Sequence, residues 1–349
     1  MHKRIVVKVG TKVMTEDGRL SEAVLQGIVD QVAALKKQGM DVIVITSGAV
    51  ATGKGLLGQT PSDSVAQRQV FAAVGQVGLM TLYAKLFEKY GYRCAQVLVT
   101  KGDFRDKQHY ANMQNCFENL LQENIVPIVN ENDTVSISEL VFTDNDELAG
   151  LIASQLNVDA VVFLTSVDGV MTGSGSVVPE IREEDMGSFE ADINDTKSAG
   201  GRGGMKTKFT IAKRLMAHGI TVHIANGARA NIVLDVAEGK PVGTTFVPTK
   251  KISAVKRRLA YSEGLAVGTV YVDKGAEKIL TAKKSASLLP VGVVRLEGAF
   301  KKGETVEIRS EDGRKLGFGV AQYDASEAAS QIGRKGGHAL IHYNSMVID

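Results

Sequence analysis

Through the first two thirds of the chain, short Val/Ile-rich runs alternate with longer segments of helical apolar spacing, and this alternation limits the fold more than anything else in the sequence. The runs are Ile5–Val9, Val42–Thr46, Ala95–Val99, Ile125–Val129, Ala160–Leu164 and Thr221–Ala225. Between them lie Ser21–Lys37, Val65–Tyr90, Met113–Glu123 and Asp146–Leu156. Runs this short and this apolar are strand-sized, while the intervening segments repeat their apolar residues every three to four positions. Strands joined through helices pair in parallel, and a parallel sheet is covered on both faces. The expected architecture is therefore α/β: a three-layer αβα sandwich around a mainly parallel sheet. Ligands of such sheets bind beyond the carboxyl ends of the strands, so the loops leaving those strands are where chemistry is sought.

After about residue 250 the pattern changes to short strand-like pieces, Gly268–Val272, Val291–Leu296, Thr305–Arg309 and Gly317–Gln322, separated by Gly, Asp-Gly and Lys-Gly turns. That predicts a small β-rich, barrel-like domain. The expected division is 1–249, a basic linker at 250–262, and 263–349, in keeping with two domains for 349 residues. Charge supports the linker. Residues 1–249 hold 24 Lys+Arg against 28 Asp+Glu, and residues 250–349 hold 17 against 11. Five of those last cations are Lys250, Lys251, Lys256, Arg257 and Arg258, so the basic surplus belongs to the connector.

Several classes are excluded. The N-terminal "MHKRIVVKVG" passes straight into a strand-like run without a signal-peptide core, and no apolar run approaches the roughly 20 residues of a membrane span. A cytoplasmic protein without membrane partners is expected. Cys94 and Cys116 cannot form a disulfide framework and are read as buried small side chains; the six histidines are scattered without metal-ligand spacing, so no protein-held metal is expected.

Lys8 sits inside the first strand, with Gly10 just past it; a lysine in a buried strand is costly unless its ammonium reaches a partner. A strand at the sheet edge, with Lys8 in water, is the alternative. "TSGAVATG" places Ser47 and Gly48 at the end of the second strand, where small residues let backbone N–H groups approach an anion. "VNENDTVS" supplies Asn130, Glu131, Asn132 and Asp133, and "FTDNDELAG" supplies Asp144, Asn145 and Asp146 where a helix begins. One Asx-rich cluster is explained by turns and helix caps. Two of them on the binding side of one sheet suit an acceptor bearing an amine and a carboxylate.

"GGRGGMKTK", Gly200 to Lys208, leads into a helix over Met205–His218 with Gly219 as its stop. It fails G-x-x-x-x-G-K-[ST], because Met205 rather than glycine precedes Lys206-Thr207. A glycine loop at a helix N-terminus still favours phosphate.

Taken in order, "VVKVGTKVM", "ITSGAVATG", "VNENDTVS", "FTDNDELAGLIA", "FLTSVDGVM" and "GGMKTK" resemble the amino acid kinase superfamily, and the C-terminal part resembles its PUA domain. Within the superfamily the motifs resemble the branch that phosphorylates the side-chain carboxylate of L-glutamate, the first step of proline biosynthesis. The resemblance implies ATP as co-substrate, Mg²⁺ bound through its phosphates, and Lys8 and Lys208 as the two cations at the transferred group, held by Asp146. It further implies Ser47, Asp133 and Asn145 as glutamate contacts. The nucleotide side would be Lys8, Gly10, Gly48, Thr165, Ser166, Arg202, Gly203, Gly204, Met205, Lys206, Thr207 and Lys208. Two departures stand out. Ser166 replaces the family's Asp after Thr165, and Arg202 stands where the family has Thr, which suggests an altered nucleotide preference. The resemblance also implies a homo-oligomer, feedback inhibition by proline, and channelling of product to glutamate-5-semialdehyde dehydrogenase.

Kinases of the same superfamily for acetylglutamate, aspartate, carbamate or uridylate are the alternatives. An RNA-binding role through the PUA-like part is the alternative of another class. Residues 259–349 carry 12 Lys+Arg against 11 Asp+Glu, which is too little positive charge for the usual nucleic-acid footprint, so RNA is not the expected partner.

Overall fold

A computed structural model of the chain describes residues 2–16, 19–58, 64–104, 106–135, 144–172, 175–189, 204–248, 259, 266–282, 286–334, 336 and 338–348. Two compact units are present, one formed by residues 1–104 and 108–251 and the other built on residues 252–349.

In the first unit the order is β1 (Arg4–Val9), α1 (Thr11–Met14), β2 (Thr15–Glu16), β3 (Arg19–Leu20), α2 (Glu22–Lys37), β4 (Asp41–Ile45), α3 (Ala49–Leu57) and α4 (Val65–Glu88). It continues through β5 (Cys94–Val99), α5 (Lys107–Gln122), β6 (Val126–Glu131), α6 (Asn145–Gln155), β7 (Ala160–Thr165) and β8 (Glu180–Arg182). The last elements are α7 (Met205–Ala217), β9 (Thr221–Asn226), α8 (Ile232–Ala237) and β10 (Thr244–Val247). Eight of the strands form one sheet in the order β5-β6-β4-β1-β7-β9-β10-β8. Every pairing is parallel except β9 with β10.

β1 is thus central, between β4 and β7, with Lys8 level with Ile45 and Phe163. This removes the edge-strand reading of Lys8. Successive strand residues face opposite ways. Ile5, Val7 and Val9 pack into a core with Leu25, Ile28 and Val29 of α2, Leu79 and Tyr83 of α4, and Ile232 and Val236 of α8. Val6 and Lys8 therefore point to the other face, which α6 covers along β1 and β7, with α7 packed against α6.

Local chemistry explains the main elements. Ser21 caps α2 by accepting from Val24 N at 3.4 Å, and Lys36 and Lys37 lie in its last turn at the negative end of the helix dipole. α4 is 24 residues long and apolar enough to meet the length and composition of a membrane-spanning helix. Here it is partly a core helix: Phe71, Leu79, Tyr83, Leu86 and Phe87 are fully buried. The cysteines depart from the sequence reading. Cys94 is half-buried at the start of the outermost strand β5, and Cys116 is exposed on α5.

The second unit contains a five-stranded sheet in the order β12-β11-β13-β14-β15, built from β11 (Gly268–Val272), β12 (Val293–Glu297), β13 (Thr305–Ser310), β14 (Lys315–Ala321) and β15 (Ile341–Ile348). Helices α9 (Lys274–Thr281) and α10 (Ala325–Gln331) contribute Leu280 and Ala328 to a core with Val270, Val272, Phe300, Val306, Ile308 and Ile341. The first four strands coincide with the runs expected from sequence, although Pro290–Gly292 is a 3-10 turn ahead of β12. Most of the expected basic linker lies outside the described residues.

Candidate active site

The face of β1 that carries Lys8 leads directly to the strongest electrostatic feature of the first unit. Asp144 caps α6, its Oδ1 accepting from the N–H groups of Asp146 at 2.9 Å and Glu147 at 3.1 Å. That cap holds Asp146 in the first turn with its carboxylate wholly buried. Lys8 Nζ lies 2.7 Å from Asp146 Oδ1, and Lys208 Nζ lies 2.7 Å from Asp146 Oδ2. Lys208 belongs to the first turns of α7, where long side chains lean back toward the N-terminus. Its neighbour Lys206, the lysine of the failed G-K-[ST] reading, is exposed.

Burial alone would raise the Asp146 pKa, but the ammoniums of Lys8 and Lys208 outweigh it and hold the carboxyl below its usual range. Asp144 goes the other way, pushed up by burial and by the charge of Asp146. Asp146 bridges both ammoniums, and Asp144 is close enough to interact with both as well. A buried ion pair is a weak source of stability because desolvation offsets much of its Coulomb gain, so two buried lysines brought together from different elements suggest a task beyond stability.

Backbone donors flank the lysines. Gly10, just past β1, donates its N–H to Leu164 O at 3.2 Å; a Cβ there would lie 3.2 Å from that oxygen and 4.0 Å from Lys8 Nζ. Gly48 opens α3 with φ +92°, a left-handed conformation that glycine adopts without cost, and a Cβ there would sit 3.1 Å from Met14 Sδ. Gly204 opens α7 with no side-chain cap, and its carbonyl takes the Thr207 N–H at 3.1 Å, which leaves the N–H groups of Met205 and Lys206 at the helix start for an anion. Met205 and Thr207 follow in the first turn. Arg202 and Gly203 lie outside the described residues.

A second cluster is made of amides. Asn145 Nδ2 donates to Thr46 O at 2.7 Å, Ser47 Oγ at 2.9 Å and Asn130 Oδ1 at 2.9 Å. Asn130 Nδ2 donates to Gln76 Oε1 of α4 at 3.0 Å, and Gln76 Nε2 to Gln96 Oε1 of β5 at 3.2 Å. Asn145 is adjacent to Asp146 in sequence, so the amide cluster and the lysine–aspartate cluster adjoin. Asp133 lies on the loop that follows β6, its Oδ1 3.9 Å from Arg68 Nη2. Gln76 was missed by sequence reasoning: a Gln among the apolar residues of a long helix carries no signal of its own.

On the far side, Thr165 ends β7 and its carbonyl accepts from Gly227 N at 2.9 Å, while Ser166 is exposed in the following turn. Asp168 Oδ1 accepts from Asn226 Nδ2 at 2.9 Å. A carboxylate is therefore present at the ends of β7 and β9 two positions beyond the one that Ser166 lacks, which sequence comparison of "TSVD" alone did not value.

Known proteins resemble the chain in both of its units. The model of the amino acid kinase family matches residues 3–226, and that of the PUA domain matches residues 268–340. The glutamate 5-kinase of Chlorobaculum tepidum is 48% identical over 353 residues, covering 100% of this chain and 98% of that protein. The glutamate 5-kinase of Bacteroides thetaiotaomicron is 43% identical, covering 99% and 98%. Among solved structures, carbamate kinase from Giardia lamblia bound to AMP-PNP matches with a TM-score of 0.51 and 16% identity, over 70% of this chain and 98% of that one, a likeness of fold alone. With a family model spanning most of the first unit and relatives matched end to end, this chain belongs to the amino acid kinase family, in its glutamate 5-kinase branch with a C-terminal PUA domain.

Proposed function

We propose that the chain transfers the γ-phosphoryl group of ATP to the side-chain carboxylate of L-glutamate, giving L-glutamyl 5-phosphate, the first step of proline biosynthesis from glutamate. The observation that carries this reading is the buried Lys8–Asp146–Lys208 cluster, with Gly10 beside Lys8 and a helix N-terminus at Lys208. Phosphoryl transfer spreads charge over the equatorial oxygens, so catalysis is chiefly positioning and electrostatic stabilisation. In this reading Lys8 and Lys208 supply the positive charge from two elements, Gly10 lets the phosphates approach Lys8 closely, and Gly48, Gly204, Met205, Lys206 and the hydroxyl of Thr207 supply donors to the phosphates. The substrate carboxylate oxygen attacks phosphorus and ADP leaves, so no side-chain nucleophile or base is needed. Asp146 holds the two ammoniums in place; its lowered pKa keeps it ionised and unsuited to take a proton.

Ser47, Asn145 and Asp133 are assigned to glutamate, with Asp133 suited to the α-ammonium, and Thr165, Ser166 and Arg202 to the nucleotide. Mg²⁺ is assigned to the nucleotide phosphates. Proline is proposed as a feedback inhibitor overlapping the glutamate site. Because an acyl phosphate is reactive toward water, direct delivery to glutamate-5-semialdehyde dehydrogenase fits the product's chemistry. A homo-oligomer is supported by the apolar side chains that α3 and α4 leave in solvent: Leu56, Val65, Val70 and Val77 are each more than half exposed. A cytoplasmic location and the division into a catalytic domain at 1–249, a linker at 250–262 and a PUA-like domain at 263–349 complete the proposal.

A coupled ADP-release assay tests it with L-glutamate, N-acetylglutamate, L-aspartate, carbamate and UMP as acceptors, and with L-glutamate plus L-proline. Turnover with L-glutamate alone, depressed by proline, is the expected result. Turnover with another acceptor and none with L-glutamate would refute the reading.

A further inference from the structure

We propose that Gln76 is a positioning residue for the amino-acid substrate, completing the buried amide chain that ends at Asn145 and Ser47. The inference rests on the assignment of those two residues to glutamate.

Amide side chains can face either way round, and their direction is settled by partners that can only donate or only accept. Two such partners are present. The backbone N–H of Glu131 can only donate, and it donates to Asn130 Oδ1 at 2.9 Å. The carbonyl of Thr46 can only accept, and it accepts from Asn145 Nδ2 at 2.7 Å. Between these fixed ends Asn130 Oδ1 takes the Asn145 amide at 2.9 Å, which leaves Asn130 Nδ2 facing α4 as a donor. Gln76 meets it with Oε1 at 3.0 Å and turns its own Nε2 to Gln96 at 3.2 Å.

The chain has a consequence at its other end. With Nδ2 committed to Thr46, Ser47 and Asn130, Asn145 is left to present an acceptor, Oδ1, to a ligand, which is what a substrate ammonium requires. Ser47 Oγ accepts from Asn145 at 2.9 Å, so its own proton is left to donate, which is what a substrate carboxylate requires. Thr46 O and Glu131 N–H fix these polarities, and Gln76 holds Asn130 in place against them by accepting its remaining amide. Asn130 is 2% exposed and Gln76 7% exposed, so water is a poor substitute for a lost acceptor there. Without Oε1 of Gln76, Asn130 Nδ2 is buried and unsatisfied. If Asn130 then turned over, its NH₂ would stand against the Glu131 N–H and the Asn145 amide, donor against donor.

The same face of α4 reaches further along this loop. Gln69, seven residues before Gln76 and so two helical turns away, donates from Nε2 to Thr134 O at 2.9 Å. α4 thus holds the loop at Asn130 and again at Thr134, on either side of Asp133.

Four variants of the full chain test the proposal: Gln76→Met, Gln76→Glu, Gln96→Ala and Asn145→Ala, each measured for KM with glutamate, KM with ATP, kcat and Tm. Gln76→Met, of similar length but with no acceptor, should raise the KM for glutamate about tenfold, the scale of one lost buried hydrogen bond, with the KM for ATP unchanged. Gln76→Glu keeps an acceptor toward Asn130 and should restore the KM for glutamate toward the native value. Gln96 is exposed, so water can replace it and Gln96→Ala should leave both constants unchanged. A Gln76→Met protein that loses only Tm, or whose two KM values rise together, would overturn the proposal. If that happens while Asn145→Ala still raises the KM for glutamate, the substrate site stands and only the role of Gln76 falls. If Asn145→Ala has no effect on that KM, the assignment of the site to glutamate falls, and the role of Gln76 with it.

Discussion

In the proposed reaction Asp146 acts without touching the reacting atoms. Its carboxylate is fully buried and bridges two lysines from different elements. Lys8→Ala and Lys208→Ala should each lower kcat by about 100-fold or more, the usual cost of removing one charge-stabilising donor, with circular dichroism unchanged. Near-normal turnover in either variant would take that lysine out of the mechanism. Asp146→Ala is a different case, because it removes the carboxylate that bridges the two buried ammoniums. Loss of about 3–5 kcal/mol of stability is expected, as for any broken buried pair, and a urea titration would read it. Away from the site, His223 on β9 is buried, with Nδ1 3.1 Å from Thr245 Oγ1 and its ring edge-on to His2. Burial, assisted by His2, pushes its pKa down from 6.5 to about 4. Between those two values the unfolded chain binds the proton and the folded chain does not, so stability is full above pH 6.5 and falls as the pH drops toward 4. The loss is on the order of 3 kcal/mol across that window. Thermal melts at pH 7.5 and pH 5 should show a drop for the native chain that is much smaller in His223→Asn.

At the scale of elements, α3 and α4 approach closely through glycines. A Cβ on Gly53 would lie 1.9 Å from Phe71 O, and one on Gly75 would lie 1.8 Å from Ala49 O. No side-chain rotation relieves a clash with backbone. Gly75→Ala must therefore push α3 away from α4, and with it the Gly48 turn that opens α3. A destabilisation of about 3 kcal/mol or more is expected, read as a lower urea midpoint, together with a raised KM for ATP; an unchanged midpoint would mean that the two helices can separate freely. That packing was invisible in the sequence, where Gly53 and Gly75 look like helix-weakening residues and α3 itself is too short and glycine-rich to carry a clear period. The central strands were legible because each is a continuous apolar run bounded by turn residues. β8 and β10 were not: they are three and four residues long, and β10 alternates buried with half-buried positions. The site was legible in the same uneven way. Lys8 stands out because an ammonium inside an apolar run demands a partner, and Asn145 and Asp146 stand out because they open a helix beyond the strand ends. Gln76 and Asp168 act only through contacts made across the fold, with Asn130 and Asn226, which no local pattern announces.

At the scale of the whole molecule, chemistry and charge are divided unevenly between the two units. Lys8, Gly10, Ser47, Gly48, Asp133, Asn145, Asp146 and Lys208, and the amide chain behind them, all lie before residue 249. The sheet that positions them takes no strand from the second unit. Residues 1–249 have four more acidic than basic side chains, and residues 250–349 have six more basic than acidic ones. Net charge of opposite sign governs solubility and non-specific association rather than fold, so the second unit should matter more to what the protein meets than to what it catalyses. A chain ending at residue 249 is expected to fold in one cooperative transition and to phosphorylate glutamate at a rate close to that of the full chain. It should also lose the weak, salt-sensitive affinity for polyanions that the cations at 250–258 confer. Steady-state kinetics and a filter-binding titration at two salt concentrations measure both properties on the same pair of proteins. If the shortened chain folds but does not turn over, the second unit takes part in completing the site. Polyanion binding that survives the truncation would place the responsible cations in the kinase unit instead.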